Sequence, residues 1–390
     1  MAVSFDGSRT GVSQPARLLF RLRGHCYSRG AGRCRPTLVP PQVSLIHIQI
    51  LRFIAATAVV VFHAIATGKA YLASPGDTTL FKVFEYGHYG VDLFFVISGF
   101  IITYATERSN PSPLQFLRRR VERIIPVYWF LTLLIVALAL LMPQVFRGTN
   151  WLDIHHLVTS LFFVSFTDGV PPLLYVGWSL EYEMFFYLLV GLLLFRKKDT
   201  WNGVLILFSL LVIAGQTRAI SEFAGHARFL MDPIILEFAF GVLAAQIFCG
   251  KKVAIPGLIA VGCACVAVLL AIPAHRAFII GLPSTLLVLG AAYLSRARTT
   301  PSPFETIVAR LGDASYSIYL IQVLSLPAAG KLAARLWPAM PLDGFIAAST
   351  AATVVAAYGL YLFIEKPALD LCRQFRAPAR SNQQAATPPA

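Results

Sequence analysis

The chain has 390 residues, 57% of them hydrophobic and 13% charged, with a mean hydropathy of +0.67. Soluble domains carry about 25% charged residues, so an ordinary cytosolic enzyme is excluded. The net charge of +14 would suit nucleic acid in a soluble protein, but the basic residues cluster in short connectors between apolar runs. There they act as topology signals, and no nucleic-acid partner is expected.

Residues 1–45 form a basic leader with seven arginines and no apolar core long enough for a signal peptide; it is expected to be disordered. Apolar stretches of about 17 to 25 residues can cross a bilayer. They predict helices at 48–66, 88–106, 124–142, 178–195, 202–219, 229–249, 253–271, 277–294, 314–335 and 344–364. A shorter apolar piece, 157–166, reads as an interfacial or re-entrant segment. The expected class is therefore an all-α integral membrane protein of about ten transmembrane helices, occupying 46–372 and followed by a disordered tail, 373–390.

With the N-terminus placed inside, 24 basic residues fall on the inner side and eight on the outer, while Arg52 lies within a helix. That bias supports an even number of spans with both termini in the cytoplasm. The long outer connector, 143–177, carries Pro143, Asp153, His155, His156, Asp168, Pro171 and Pro172, and is the natural place for a lid or an acceptor-side surface. The six cysteines show neither zinc nor redox spacing, so no disulfide framework and no metal site are expected.

Charged groups at bilayer depth cost at least about 2.5–3.5 kcal/mol each and need a partner or a purpose. In the first helix Arg52 and His63 are eleven residues apart, which is about three turns and about 16 Å on one face. Snorkelling of Arg52 and simple packing of His63 account equally well for this pair taken alone. The second span, Gly90-Val-Asp-Leu-Phe-Phe-Val-Ile-Ser-Gly-Phe100, places Asp92 near its outer end, and its Ser98 and Gly99 permit close helix approach or line a cavity. Arg118, Arg119, Arg120 and Arg123 precede the third span, either as an ordinary inner anchor or as a phosphate clamp suited to guanidinium forks.

The fourth span opens Trp178-Ser-Leu-Glu-Tyr-Glu-Met-Phe-Phe-Tyr187. Glu181 and Glu183 sit about 200° apart around the helix, so one of them at most faces a site. Glu183 falls at a depth similar to His63, and a carboxylate that orients an imidazole is a general-base arrangement. Glu237 is deep and without an evident partner. Ser315, Tyr316, Tyr319 and Gln322 recur at helical spacing, and Glu365 closes the last span where an inner-end arginine would pair with it.

The order and spacing of these residues resemble the membrane-bound acyltransferase 3 family, and within it the branch that acetylates bacterial exopolysaccharides. The residues that carry the resemblance are Arg52 with His63, Gly90 to Phe100, Arg119, Arg120, Arg123 and Pro126, Trp178-Ser-Leu-x-x-Glu183-x-x-Phe-Tyr187, Ser315-Tyr316 to Leu320, and Glu365 before Pro367. The resemblance implies a multi-pass protein of the bacterial inner membrane that moves an acyl group, commonly acetyl, from cytoplasmic acetyl-CoA to a sugar hydroxyl of an exopolysaccharide or other surface glycan. It implies His63 and Glu183 as catalytic and Arg52, Arg119, Arg120, Arg123 and Ser98 as acyl-CoA-binding. Asp92, Trp178, Glu237, Ser315, Tyr316 and Glu365 take structural or acceptor-side roles.

Acyl-CoA is then a co-substrate and no cofactor is permanently bound. The expected partners are a saccharide or lipid-linked saccharide acceptor, membrane lipid and the polysaccharide biosynthesis machinery. One departure is Gln322, where many family members carry histidine. The rival reading is a proton-coupled exporter of a glycan or small molecule, built on the same buried charges. Against it, the sequence has no inverted repeat and no paired broken helices in corresponding halves.

Overall fold

The computed structural model describes residues 45–73, 76–144, 152–195, 199–217, 225–272, 275–298 and 300–374. The leader, most of the tail, and Arg147, Arg196, Lys197, Lys198 and Arg218 of the charge count lie outside the described residues.

Regular structure among the described residues is helical throughout. The helices are α1 (Ile46–Tyr71), α2 (Gly90–Ser109), α3 (Pro113–Leu141), α4 (Ile154–Leu161), α5 (Trp178–Leu194), α6 (Thr200–Gln216) and α7 (Leu236–Phe248). They continue with α8 (Ile255–Ala271), α9 (Leu282–Ala297), α10 (Pro303–Asp313), α11 (Ser315–Leu336), α12 (Leu342–Leu360) and α13 (Lys366–Gln374).

Eight helical segments among the described residues are long and apolar enough to cross a membrane. Two more predicted spans correspond to α6 and α8, each of 17 residues. At 1.5 Å per residue these reach about 25 Å, short of the roughly 30 Å hydrocarbon core, and they pack against each other. The shorter predicted piece becomes α4, an eight-residue helix.

Two elements differ from expectation for identifiable reasons. Helix α3 begins at Pro113 rather than at 124, because Ser112 and Gln115 form a reciprocal cap with bonds of 3.3 and 3.2 Å. The arginine run is therefore part of the spanning helix and not a connector. Helix α10 falls where no element was expected. It is short and amphipathic, with too many charges to read as a span, and it starts at a second reciprocal cap between Ser302 and Glu305. The Ser302 N–H and hydroxyl hold the Glu305 carboxyl down at about 2, and Gly312 lets α10 close on the Gln49 main chain, where a Cβ would come 2.6 Å from the carbonyl carbon.

α1 packs against α2, α9, α10, α11 and α12, which puts both Arg52 and His63 among other helices. α2 and α7 approach through Gly99 and Gly241, where added Cβ atoms would lie 3.1 and 2.9 Å from the opposing Cα. Small residues at that crossing bring the backbones together and leave the adjacent Ser98 free to face inward.

Candidate active site

The connector between α2 and α3 and the starts of α1 and α11 share one end, called here the basic end; the far end carries residues 152–177. A cavity of about 90 Å³ reaches into the helices from the basic side, lined by Arg52, Arg120, Arg123, Ser98, Glu183, Tyr187, Ser315, Tyr316 and Tyr319. A second, of about 300 Å³, shares Arg52, Ile101 and Arg123 with it and adds Gln49, Arg310 and Asp313. The two form one vestibule narrowing from the basic end inward.

Helical phase decides which arginines enter. Arg120 and Arg123 lie three residues apart on the α3 face that meets the cavity, whereas Arg119 is turned about 100° from Arg120 and does not line it. Arg118 is tied to Glu122 by a 2.8 Å bond. Arg120 sits over the rings of Phe116 and Tyr187, at 5.6 and 5.8 Å from their centroids. Arg52 donates to Gln49 Oε1 at 2.9 Å. None of Arg52, Arg120 and Arg123 has an ion-pair partner among the described residues. Burial lifts the Asp313 carboxyl at the vestibule mouth above its usual range, against the pull of Arg52 and Arg123.

Glu183 accepts hydrogen bonds from Ser98 Oγ at 2.7 Å and from the Tyr187 hydroxyl. Glu181, on the other side of α5, accepts from the Ser165 N–H and hydroxyl at 2.8 and 2.5 Å, so one carboxylate of the pair faces the cavity. Ser315 and Tyr316 also belong to this basic-end cavity; the Tyr316 hydroxyl ties α11 to α3 at the Ile124 carbonyl, 2.8 Å away. Glu365 accepts from Ser317 Oγ at 2.6 Å and the expected ion pair is not formed among the described residues, though Arg52 and Arg123 act on it electrostatically.

His63 lies deeper along α1. Its Nδ1 is 2.9 Å from the Val59 carbonyl oxygen, which can only accept, so Nδ1 carries the proton and Nε2 presents a lone pair. The Tyr175 ring, with its centroid 5.7 Å from the imidazole, and the Gln322 side chain adjoin it.

The expected His63–Glu183 bond is not formed among the described residues: each group has the other partners just named. The depth estimate is what fails. α5 starts near the level of His63, and Glu183, eight residues beyond Tyr175, lies about 12 Å further toward the basic end. Between the two levels Tyr319 and Ser179 line the cavity and bond each other at 2.8 Å, and Gln322 is one turn beyond Tyr319 on α11. Polar side chains therefore run from the arginines through Glu183 and Tyr319 to His63.

Asp92 and Glu237 stand apart from this column. Asp92, fully buried, accepts from Arg276 Nε at 2.8 Å and from its Nη2. Glu237 lies beside Asp92 within the field of Arg276, but neither of its carboxylate oxygens has a hydrogen-bond donor among the described residues. Trp178 packs edge-on against Phe95 and Tyr182 at the far end.

On the far-end connector, His155 Nε2 is 2.9 Å from Asp168 Oδ1, and Thr159 donates to Oδ2 at 2.8 Å. The bond to Asp168 raises the His155 imidazole above 6.5, and the same bond holds the Asp168 carboxyl below its usual value. A raised imidazole stabilises fully below its unfolded value and loses that contribution as pH rises through the folded one; a depressed carboxylate loses its contribution as pH falls through its folded value. Amide protection across 154–168 is expected to hold at mildly acidic pH and to step down as pH rises through the shifted His155 value. Hydrogen exchange checks this, and His155→Gln should remove the step.

Comparison with known proteins bears on this arrangement. The Acyltransferase domain family model matches residues 45–362. The exopolysaccharide production protein ExoZ of Rhizobium meliloti (strain 1021) is 34% identical over 320 residues, covering 76% of this chain and 94% of that protein. The acyltransferase MdmB of Streptomyces mycarofaciens is 26% identical over 372 residues, 85% of this chain and 94% of its own length. The O-acetyltransferase OatA of Staphylococcus aureus (strain NCTC 8325 / PS 47) is 33% identical over 128 residues, 28% of this chain and 20% of that protein. No solved structure matches significantly. A domain-length family match, on a multi-helix apolar chain with arginines and a histidine facing its interior, leads to one conclusion: the chain belongs to the acyltransferase 3 family and is a multi-pass membrane acyltransferase.

Proposed function

We propose that the protein is an O-acetyltransferase of the bacterial inner membrane that takes acetyl from cytoplasmic acetyl-CoA and places it on a sugar hydroxyl of an exopolysaccharide or other surface glycan. In this reading α6 and α8 complete ten spans, the termini and the basic end face the cytoplasm, and the far end faces outward. The observation that carries it is the convergence on one vestibule of three arginines that have no ion-pair partner among the described residues. Unpaired cations at this depth are costly, and a polyphosphate group offsets that cost through charge-assisted, bidentate bonds. Similarity to an exopolysaccharide production protein and, over a shorter stretch, to an O-acetyltransferase favours a glycan acceptor and an acetyl group.

The nucleotide phosphates bind Arg52, Arg120 and Arg123, with Arg119 outside the cavity wall, and the thioester arm passes Ser98 and Glu183 toward His63. Nε2 of His63 takes the proton of the acceptor hydroxyl. The freed oxygen attacks the thioester carbonyl carbon, the C–S bond breaks, and the CoA sulfur leaves with the proton returned by His63. Glu183 fixes Ser98 and Tyr187 along the arm rather than orienting the imidazole. With purified protein, labelled acetyl-CoA and oligosaccharide, Arg123→Gln is expected to raise the KM for acetyl-CoA about ten- to a hundred-fold, the loss of a charged hydrogen bond of about 1.5–3 kcal/mol. An unchanged donor KM in both Arg123→Gln and Arg120→Gln would remove the arginines from donor binding.

A further inference from the structure

At the far end a separate cleft of about 590 Å³ opens between the turn Ser165–Asp168, the start of α5 and the 3-10 segment Gly225–Met231. Its size lies within the range that encloses small ligands, about 300–1,000 Å³. Trp178 and Phe166 line it together with Phe229, which is stacked between Phe166 at 5.3 Å and Tyr182 at 3.9 Å. Packing alone explains that stack, but it does not explain the polar groups set among the rings.

Arg228 is exposed and makes no bond among the described residues. Asp232 accepts from the Ile234 N–H through Oδ1 at 2.8 Å, which leaves Oδ2 available. His226 Nδ1 donates to the Thr167 carbonyl at 2.9 Å, so its Nε2 is an acceptor. A lipid chain would call for an unbroken apolar wall, and a phosphate for several cations with no carboxylate. Glu181 also lines the cleft but is engaged by Ser165; aromatic faces interleaved with the remaining donor and two acceptors match a pyranose, whose C–H face meets a ring quadrupole while its hydroxyl edge takes the polar groups.

The cleft is also placed for the reaction. Trp178 is three residues from Tyr175, the ring beside His63, across a 3-10 turn that rises about 2 Å per residue.

We propose that this cleft is the acceptor-saccharide subsite, in which sugar rings next to the reacting one lie against Phe166 and Trp178. Asp232 accepts from their hydroxyls and Arg228 donates to them. The proposal rests on the O-acetyltransferase reading above and adds the residues that hold the acceptor.

The test uses the full-length purified protein, acetyl-CoA, and de-acetylated oligosaccharides prepared from the producing cell's own surface glycan. Arg228→Gln changes an exposed side chain, and Asp232→Asn keeps a turn-capping oxygen, so both variants should fold. Each is expected to raise the KM for oligosaccharide about ten-fold or more, with the KM for acetyl-CoA within two-fold of wild type. Transfer by both variants with an unaltered oligosaccharide KM would overturn the subsite and leave the transferase reading standing. Absence of transfer by the wild type to any of these oligosaccharides would overturn both.

Discussion

His63→Ala is expected to lower turnover by about 10²- to 10⁴-fold, the usual weight of a positioned general base, while acetyl-CoA still binds with near-wild-type affinity. The separation follows from geometry: the arginine vestibule starts at Arg52, eleven residues and about 16 Å below His63 on the same helix. His63→Gln should be as inactive as His63→Ala, because a carboxamide can fill the space without taking a proton. Initial rates with labelled acetyl-CoA, beside calorimetric binding of the donor, check both halves. If turnover in His63→Ala stayed within a few-fold of wild type, the base would have to be sought elsewhere along the polar column.

The second large effect concerns stability. Arg276→Ala leaves Asp92 and Glu237, both fully buried, without the cation that now bonds Asp92 through two nitrogens. Removing one partner of a buried pair costs about 3–5 kcal/mol, which should appear as a large drop in thermal stability in detergent. Arg276→Lys should recover part of it, since an ammonium restores the charge but not the fork. Asp92→Asn in the Arg276→Ala background should recover part as well, by removing the stranded charge. A stability equal to wild type in Arg276→Ala would mean that solvent or lipid headgroups reach the pair and neutralise it.

How much of this was legible before the fold differs by kind of signal. Each predicted span coincides with a helical segment because apolar run length is a local property; even the arginine run misled only about where α3 begins. α10 was missed although its Ser302-Pro303-x-Glu305 cap is in the sequence, because a helix of eleven residues makes no hydropathy signal.

Long-range pairing was not readable. Asp92 and Arg276 are 184 residues apart, and nothing local to either marks the other. The depth of Glu183 was misjudged because it was measured from a presumed surface. His63 and the start of α5 are in fact level, so five residues into the helix already leaves the imidazole behind. What the spacing did give was the common face of Arg52 and His63 and the opposition of Glu181 and Glu183, both consequences of helical period alone.

In the proposed reaction, acetyl passes from a donor at the basic end of the chain to an acceptor at its far end. Sealed membrane vesicles of both orientations, given membrane-impermeant labelled acetyl-CoA on one side and oligosaccharide on the other, test it most directly. Labelled oligosaccharide is expected only when acetyl-CoA meets the face bearing Arg52, Arg120 and Arg123 and the acceptor meets the face bearing Trp178 and Tyr175. Labelling only when donor and acceptor share one face, or equal labelling in both orientations, would contradict it.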